Sequence, residues 1–223
     1  MYPEPVTENN HAVVRGGGAA STGVWYYLIP FYMGRLVDRI VGLFRNLFSA
    51  EPEDLAQAYQ TLGEKSLKKG KVEDAALALN KSLELDPENP LILYRLGQSY
   101  EKLGVEDEAI ACLKKAFKLD SENADAAFRI GLIHSRQDKP KDAVEWLKKA
   151  LALDGENPET LYRLGLAYDN NKDSDSAISC IKKAISLNPR NSRYYNSLGF
   201  IYDAVGDRDK AVECFKKALE LED

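Results

Sequence analysis

Histidine, cysteine and methionine are scarce in this 223-residue chain, which holds two, three and two of them. With histidine only at His11 and His134, no histidine-based triad or metal cluster can be drawn. Nor does any stretch pair a nucleophile with a base or follow a phosphate-loop pattern. The expectation is therefore no enzyme, no metal and no cofactor. Cys112, Cys180 and Cys214 fall at equivalent places of a repeating pattern. Equivalent neighbouring helices lie about 10 Å apart, beyond the roughly 7 Å between Cα atoms that a disulfide allows. None of the three has the close cysteine or histidine partners of a zinc site. They read as small apolar filler in a reducing, hence cytoplasmic, compartment. Long apolar runs are also missing: Val24 to Met33 is ten residues with Pro30 inside it, against the roughly twenty that span a bilayer. The start is acidic and lacks the apolar core of a secretory signal. A basic face is absent as well. The net charge is −5 and the pI about 5.3. Residues 1–49 hold four arginines against three acids, which leaves −6 on the remainder. Nucleic acid is not an expected partner.

What the chain has in quantity is periodicity. Gly63, Gly97, Gly131, Gly165 and Gly199 recur every 34 residues, followed twelve residues later by Ala75, Ala109, Ala143, Ala177 and Ala211. Such a period means a stack of like supersecondary units, here 56–89, 90–123, 124–157, 158–191 and 192–223. Each unit opens with an amphipathic stretch such as LILYRLGQSYEKLG and continues into a second such as EDEAIACLKKAFKLD. The apolar spacing of both predicts helices. Gly70, Gly104, Pro140, Asn171 and Gly206 stand at or near the turn between them. A glycine inside a helix costs roughly 1 kcal/mol relative to alanine, so its return needs a packing reason: the two helices cross closely there, with the alanine as the other half of the contact. Leu62, Leu96, Ile130, Leu164 and Leu198, then Tyr100, His134, Tyr168 and Tyr202, are the expected core of the first helices. Leu79, Leu113, Leu147, Ile181 and Phe215 are that of the second.

These residues resemble the tetratricopeptide-repeat (TPR) pattern almost throughout 56–223. The resemblance implies an all-α TPR solenoid, a right-handed superhelix of five helix–turn–helix repeats with an N-terminal amphipathic helical extension. Departures are few: Ser66 replaces an aromatic in the first unit, and only Pro87 and Pro189 close their units with proline. The motif specifies fold far more than chemistry.

Ahead of the array, residues 1–23 are polar and glycine-rich and read as a disordered arm. Residues 24–49 are the stretch the repeat leaves unexplained. Trp25, Tyr26 and Phe31 crowd its start. Leu36, Ile40, Phe44 and Phe48 then supply apolar side chains, with Arg35 and Arg39 on the polar side. Two readings stand: a cap or degenerate extra repeat, or an element that seats the protein on a membrane surface or in another subunit. Residues 49–55 form the join, with Ser49 as a cap and Pro52, Glu51, Glu53 and Asp54 suited to a helix start.

Two ladders run through the array. Tyr94-Arg95, Phe128-Arg129 and Tyr162-Arg163 repeat an aromatic–arginine pair. In TPR proteins those positions face the concave groove, so the resemblance implies a groove that takes acidic segments of other proteins through bidentate bonds. The plainer alternative is core packing beside arginines that pair with acids such as Glu101 or Asp125. The second ladder, Lys114-Lys115, Lys148-Lys149, Lys182-Lys183 and Lys216-Lys217, reads as a solvated face. The lysine–asparagine clamp of chaperone-binding TPR domains is absent, since its places hold Gln60 and Glu64, Tyr94 and Gln98, and Phe128 and Leu132.

The layout, an amphipathic preface ending in Leu47-Phe48-Ser49 and then five repeats, is similar to that of magnetosome-associated members of the family. That likeness implies a cytoplasmic protein that oligomerises peripherally on magnetosome vesicles and recruits partners. The alternative is a monomeric, co-chaperone-like adapter. The chain ends at Asp223 with parts of Phe215 and Leu219 expected on an open face. Docking residues 24–48 of one copy onto the next is then a head-to-tail contact, which propagates.

Overall fold

The computed structural model describes residues 40–41 and 51–222. Within 51–222 it forms ten α-helices in five pairs and no strands. The pairs are α1 (Pro52–Lys68) with α2 (Val72–Leu85), α3 (Pro90–Leu103) with α4 (Glu106–Leu119), and α5 (Ala124–Arg136) with α6 (Pro140–Asp154). They continue with α7 (Pro158–Asn170) and α8 (Ser174–Leu187), then α9 (Ser192–Ala204) and α10 (Arg208–Glu220). The all-α array of five helix pairs expected from the 34-residue step is thus observed.

Local chemistry explains where each helix starts. From the second unit on, an asparagine caps the first helix: Asn89, Asn123, Asn157 and Asn191 each accept from the amides two or three residues ahead. These amides have no partner within the helix. Proline at the first helical position of α1, α3, α6 and α7 loses nothing there, because that amide is also unpaired. In the first unit α1 begins at Pro52, four residues before the unit drawn from 56. Its N-cap is Glu51, which makes no side-chain cap bond.

The turn within each pair is a single left-handed residue. It is Gly70, Gly104 and Gly206 in three units, but Asp138 and Lys172 in the other two, at φ 54° and 64°. Pro140 and Asn171, expected at those turns, lie beside it. Pro140 instead opens α6 and Asn171 caps the end of α7.

The repeating glycines are buried at the helix crossing. A Cβ built on Gly63, Gly97, Gly131, Gly165 or Gly199 falls 2.6–2.7 Å from a side-chain atom of Leu79, Leu113, Leu147, Ile181 or Phe215. The alanine contributes less than expected: its carbonyl oxygen, at 3.2–3.4 Å for Gly63, Gly97 and Gly165, is the nearer group. So the large residue four positions beyond the alanine dictates the glycine.

Neighbouring pairs share their cores, as stacked repeats must. Leu79 of α2 packs with Ile92 and Leu96 of α3, and Ile110 and Leu113 of α4 with Ile130 of α5. Leu62 departs from its equivalents and is exposed. It occupies the side of α1 that in later units meets the preceding second helix, and no such helix is described. Ser82 of α2, fully buried, donates to the Ala56 carbonyl at 2.7 Å.

Candidate functional site: the face of the first helices

Position by position, the aromatic–arginine ladder diverges. On α3, the Tyr94 hydroxyl is the hub. It donates to the Asp125 carboxylate of α5 and accepts from Gln98 Nε2 at 2.6 Å. Arg129 Nε donates to Asp125 at 2.7 Å, and its Nη1 to Glu101 of α3 at 2.7 Å. Glu101 also receives Arg136 at 3.2 Å, which in turn holds Glu106 at 2.9 Å. A continuous polar chain therefore joins α3 to α5. Burial and the bond to Asp125 push the Tyr94 hydroxyl pKa up, while Arg129 acts in the opposite direction.

Phe128 has no part in that chain. It packs half-buried against the cluster that contains Val144, Leu147 and Leu164. Tyr162, the third ring, is buried; it stacks on Tyr194 with centroids 4.8 Å apart and its hydroxyl meets Ser197 Oγ at 3.0 Å. Arg163 Nε donates to Glu159 at 2.7 Å, and Arg193 approaches the same oxygen at 3.6 Å. Arg95 differs from both other arginines. Among the described residues it has no carboxylate: Nη1 donates to the neutral Gln98 at 3.0 Å, and Nε is buried without an acceptor.

The places that would hold a chaperone clamp are engaged internally in the first two units. Gln60 Nε2 donates to Glu64 at 3.1 Å, as Gln98 does to Tyr94.

The lysine ladder is largely occupied as well. Lys115 donates to the Pro87 carbonyl at 3.0 Å, Lys183 pairs with Glu156 at 2.7 Å, and Lys217 pairs with Glu220 at 2.9 Å. Lys149 lies 4.2 Å from the Trp146 ring centroid and Lys148 5.3 Å from that of Tyr168.

Cys112, Cys180 and Cys214 are free thiols, and burial pushes all three pKa values up, Cys112 to about 11. Such thiols are poor nucleophiles. Among the described residues, no group of three His, Cys, Asp or Glu is placed to hold a metal ion. Likewise no described helix is long and apolar enough to cross a membrane.

One apolar surface stands out at the last pair. Phe200 on α9 is 68% exposed and Leu219 on α10 is 64% exposed. Phe200 meets Phe215 edge-on at 5.1 Å between centroids. Phe200 occupies the α9 place equivalent to Gln98, Leu132 and Leu166, so this face turns from polar to apolar along the array. Trp25, Tyr26, Phe31, Arg35, Leu36, Arg39, Phe44 and Phe48 lie outside the described residues; Ile40 is helical and exposed.

Family models described as tetratricopeptide repeat match residues 106–158, 158–191 and 192–223, and one described as TPR repeat matches 63–104. Among solved structures, that of the MamA protein is 37% identical, with 76% of this chain aligned to 92% of that one at a TM-score of 0.72. MamA from Desulfovibrio magneticus RS-1 is 29% identical over 76% of this chain and 96% of that one, at 0.73. YrrB, described as a TPR protein with an unusual peptide-binding site, shares the fold at 24% identity, covering 73% and 84%, at 0.68. The curated protein sequences gave no match.

Proposed function

The chain belongs to the tetratricopeptide-repeat family, and from that premise we propose a non-catalytic interaction scaffold that assembles with its own copies and recruits protein partners at a membrane or vesicle surface. The observation that carries assembly is the exposed apolar surface of α9 and α10, Phe200 and Leu219. Residues 24–48 offer an aromatic amphipathic segment of matching chemistry. Their three arginines against one acid also suit an array that holds net negative charge. Seating the segment of one copy on α9–α10 of the next gives a heterologous contact, which yields rings or filaments rather than a closed two-fold dimer. The likeness to magnetosome-associated proteins supports a vesicle as the surface on which such a coat forms. One amphipathic segment alone attaches weakly and reversibly, so assembly and lipid contact reinforce each other.

Partner capture belongs to the first-helix face. Acidic segments are the chemistry it suits, with Arg95 as the receiving guanidinium, because Arg129 and Arg163 already hold carboxylates of their own chain.

Light scattering on the full chain tests the assembly. We expect large, broadly distributed particles, reduced to small species both by removal of residues 1–49 and by Phe200→Glu with Leu219→Glu in the full chain. Particles of unchanged size in both variants would place the assembly surface elsewhere.

A further inference from the structure

Three joints between one unit's second helix and the next unit's first helix repeat a side-chain pairing at a spacing of 20 residues. At the first joint Asn80 Nδ2 donates to the Tyr100 hydroxyl at 3.0 Å. At the third, Lys148 sits 5.3 Å from the Tyr168 ring centroid, and at the fourth Lys182 sits 5.6 Å from that of Tyr202. The second joint breaks the series. Its ring is His134, and Lys114, the residue 20 before it, lies over Trp146 of α6 at 5.7 Å.

His134 is 6% exposed, and its Nδ1 is buried with no hydrogen-bond partner among the described residues. We propose that His134 makes the joint between the second and third units acid-labile, so that mild acid opens the array at α5. A protonated ring carries an N–H at Nδ1, which has no acceptor among the described residues, and an unpaired buried charge is costly. The surrounding charges come from three places. Lys114 on α4 and Lys139 in the turn before α6 oppose an imidazolium; Asp142 and Glu145 on α6 favour it. Glu145 already accepts Lys149 at 2.7 Å, which weakens its hold on a more distant imidazolium. Burial is the largest influence, and together they push the histidine pKa below its usual value of 6.5.

The direction of the pH effect follows by linkage. Above about pH 6.5 the ring is neutral in both folded and unfolded chains, and the site costs nothing. Below it the unfolded chain takes up the proton first. Stability is therefore lost as the pH falls from about 6.5 toward the lower folded-state value, and the loss levels off beneath that. The consequence reaches beyond one ring, because α5 carries Asp125 and Arg129, the residues that tie it to α3.

Urea unfolding of the full chain between pH 7.5 and 5, for the natural sequence and for His134→Tyr, is the test. Tyrosine is what the other three joints place there, and comparison of the two chains cancels the titration of carboxylates common to both. The folding equilibrium of the natural chain should fall relative to His134→Tyr by up to about tenfold per pH unit below 6.5. Equal acid sensitivity of the two chains would overturn the proposal. Proton NMR on the folded natural chain gives a second readout, independent of how the variant folds. With His11→Gln removing the other imidazole, the remaining ring should reach half-protonation below pH 6.5, and half-protonation at or above 6.5 would overturn the proposal equally.

Discussion

The first helices of units two and three meet through charge, whereas those of units four and five meet through rings. Tyr94 and Tyr162 hold equivalent places, yet the residue 35 positions on is Arg129 in one case and Ser197 in the other. Beside the arginine, Tyr94 enters a chain of ion pairs that runs from Asp125 through Arg129, Glu101 and Arg136 to Glu106. Beside the serine, Tyr162 turns its ring onto Tyr194 and joins an apolar core with Leu198, Ile201 and Tyr202. The glycine crossing within each pair is the same in both regions. What the repeat dictates is the inside of a unit; the contact between like helices of successive units is free to vary.

The largest loss of stability is expected at the ring contact. Tyr194 is among the largest fully buried side chains, so Tyr194→Ala removes both its stack and its filled volume. Truncating a buried aromatic costs about 3–5 kcal/mol, and urea unfolding of the full chain should show a loss of that size. A loss below about 1 kcal/mol would mean that units four and five do not depend on the ring contact.

Much of this architecture is legible in the sequence because it is local or periodic. The glycines, the alanines and the helix pairs all follow from a fixed step of 34. The asparagine caps share that step and were equally readable, at Asn89, Asn123, Asn157 and Asn191. Asp138 and Lys172 were harder to read, since a left-handed turn residue announces itself only when it is glycine. Hardest was the fate of the arginines. Whether Arg129 faces a partner or its own chain depends on Glu101, which lies 28 residues away and one helix over. The pairing with Glu101 and Asp125 raised as the plainer alternative is present for Arg129, while Arg95, identical in the pattern, donates to Gln98 and meets no carboxylate among the described residues. Residues 24–39 lie outside the described residues, so their amphipathic reading stands as a proposal.

At the charged contact the expected effect is smaller. Arg129 and Glu101 keep 28% and 13% of their side-chain surface exposed, between a solvated pair and a buried one. Arg129→Ala leaves Asp125 with Tyr94 and Glu101 with Arg136, so neither acid is stranded. A loss of about 1–2 kcal/mol follows for bonds to a charged group, again read by urea unfolding. Stability equal to that of the natural chain would show that the ion chain positions α5 without stabilising it.

The smallest effect on stability belongs to Arg95, and its value is that stability and binding separate there. Among the described residues its side chain meets only the neutral Gln98 and, at 5.6 Å, the Tyr94 ring, so Arg95→Ala should change stability by no more than about 0.5 kcal/mol. Binding should respond instead. A labelled hexaglutamate peptide at low ionic strength presents the carboxylates that an acidic partner would bring. One partly solvated ion pair contributes about 0–1 kcal/mol, or at most about fivefold in affinity. Arg163→Ala is the matched control, because Glu159 then retains Arg193 and the face gains no stranded acid. Fluorescence anisotropy should show weaker binding for Arg95→Ala and little change for Arg163→Ala. Equal losses would mean that the peptide senses only net charge, and no loss at Arg95 would remove it as the receiving group.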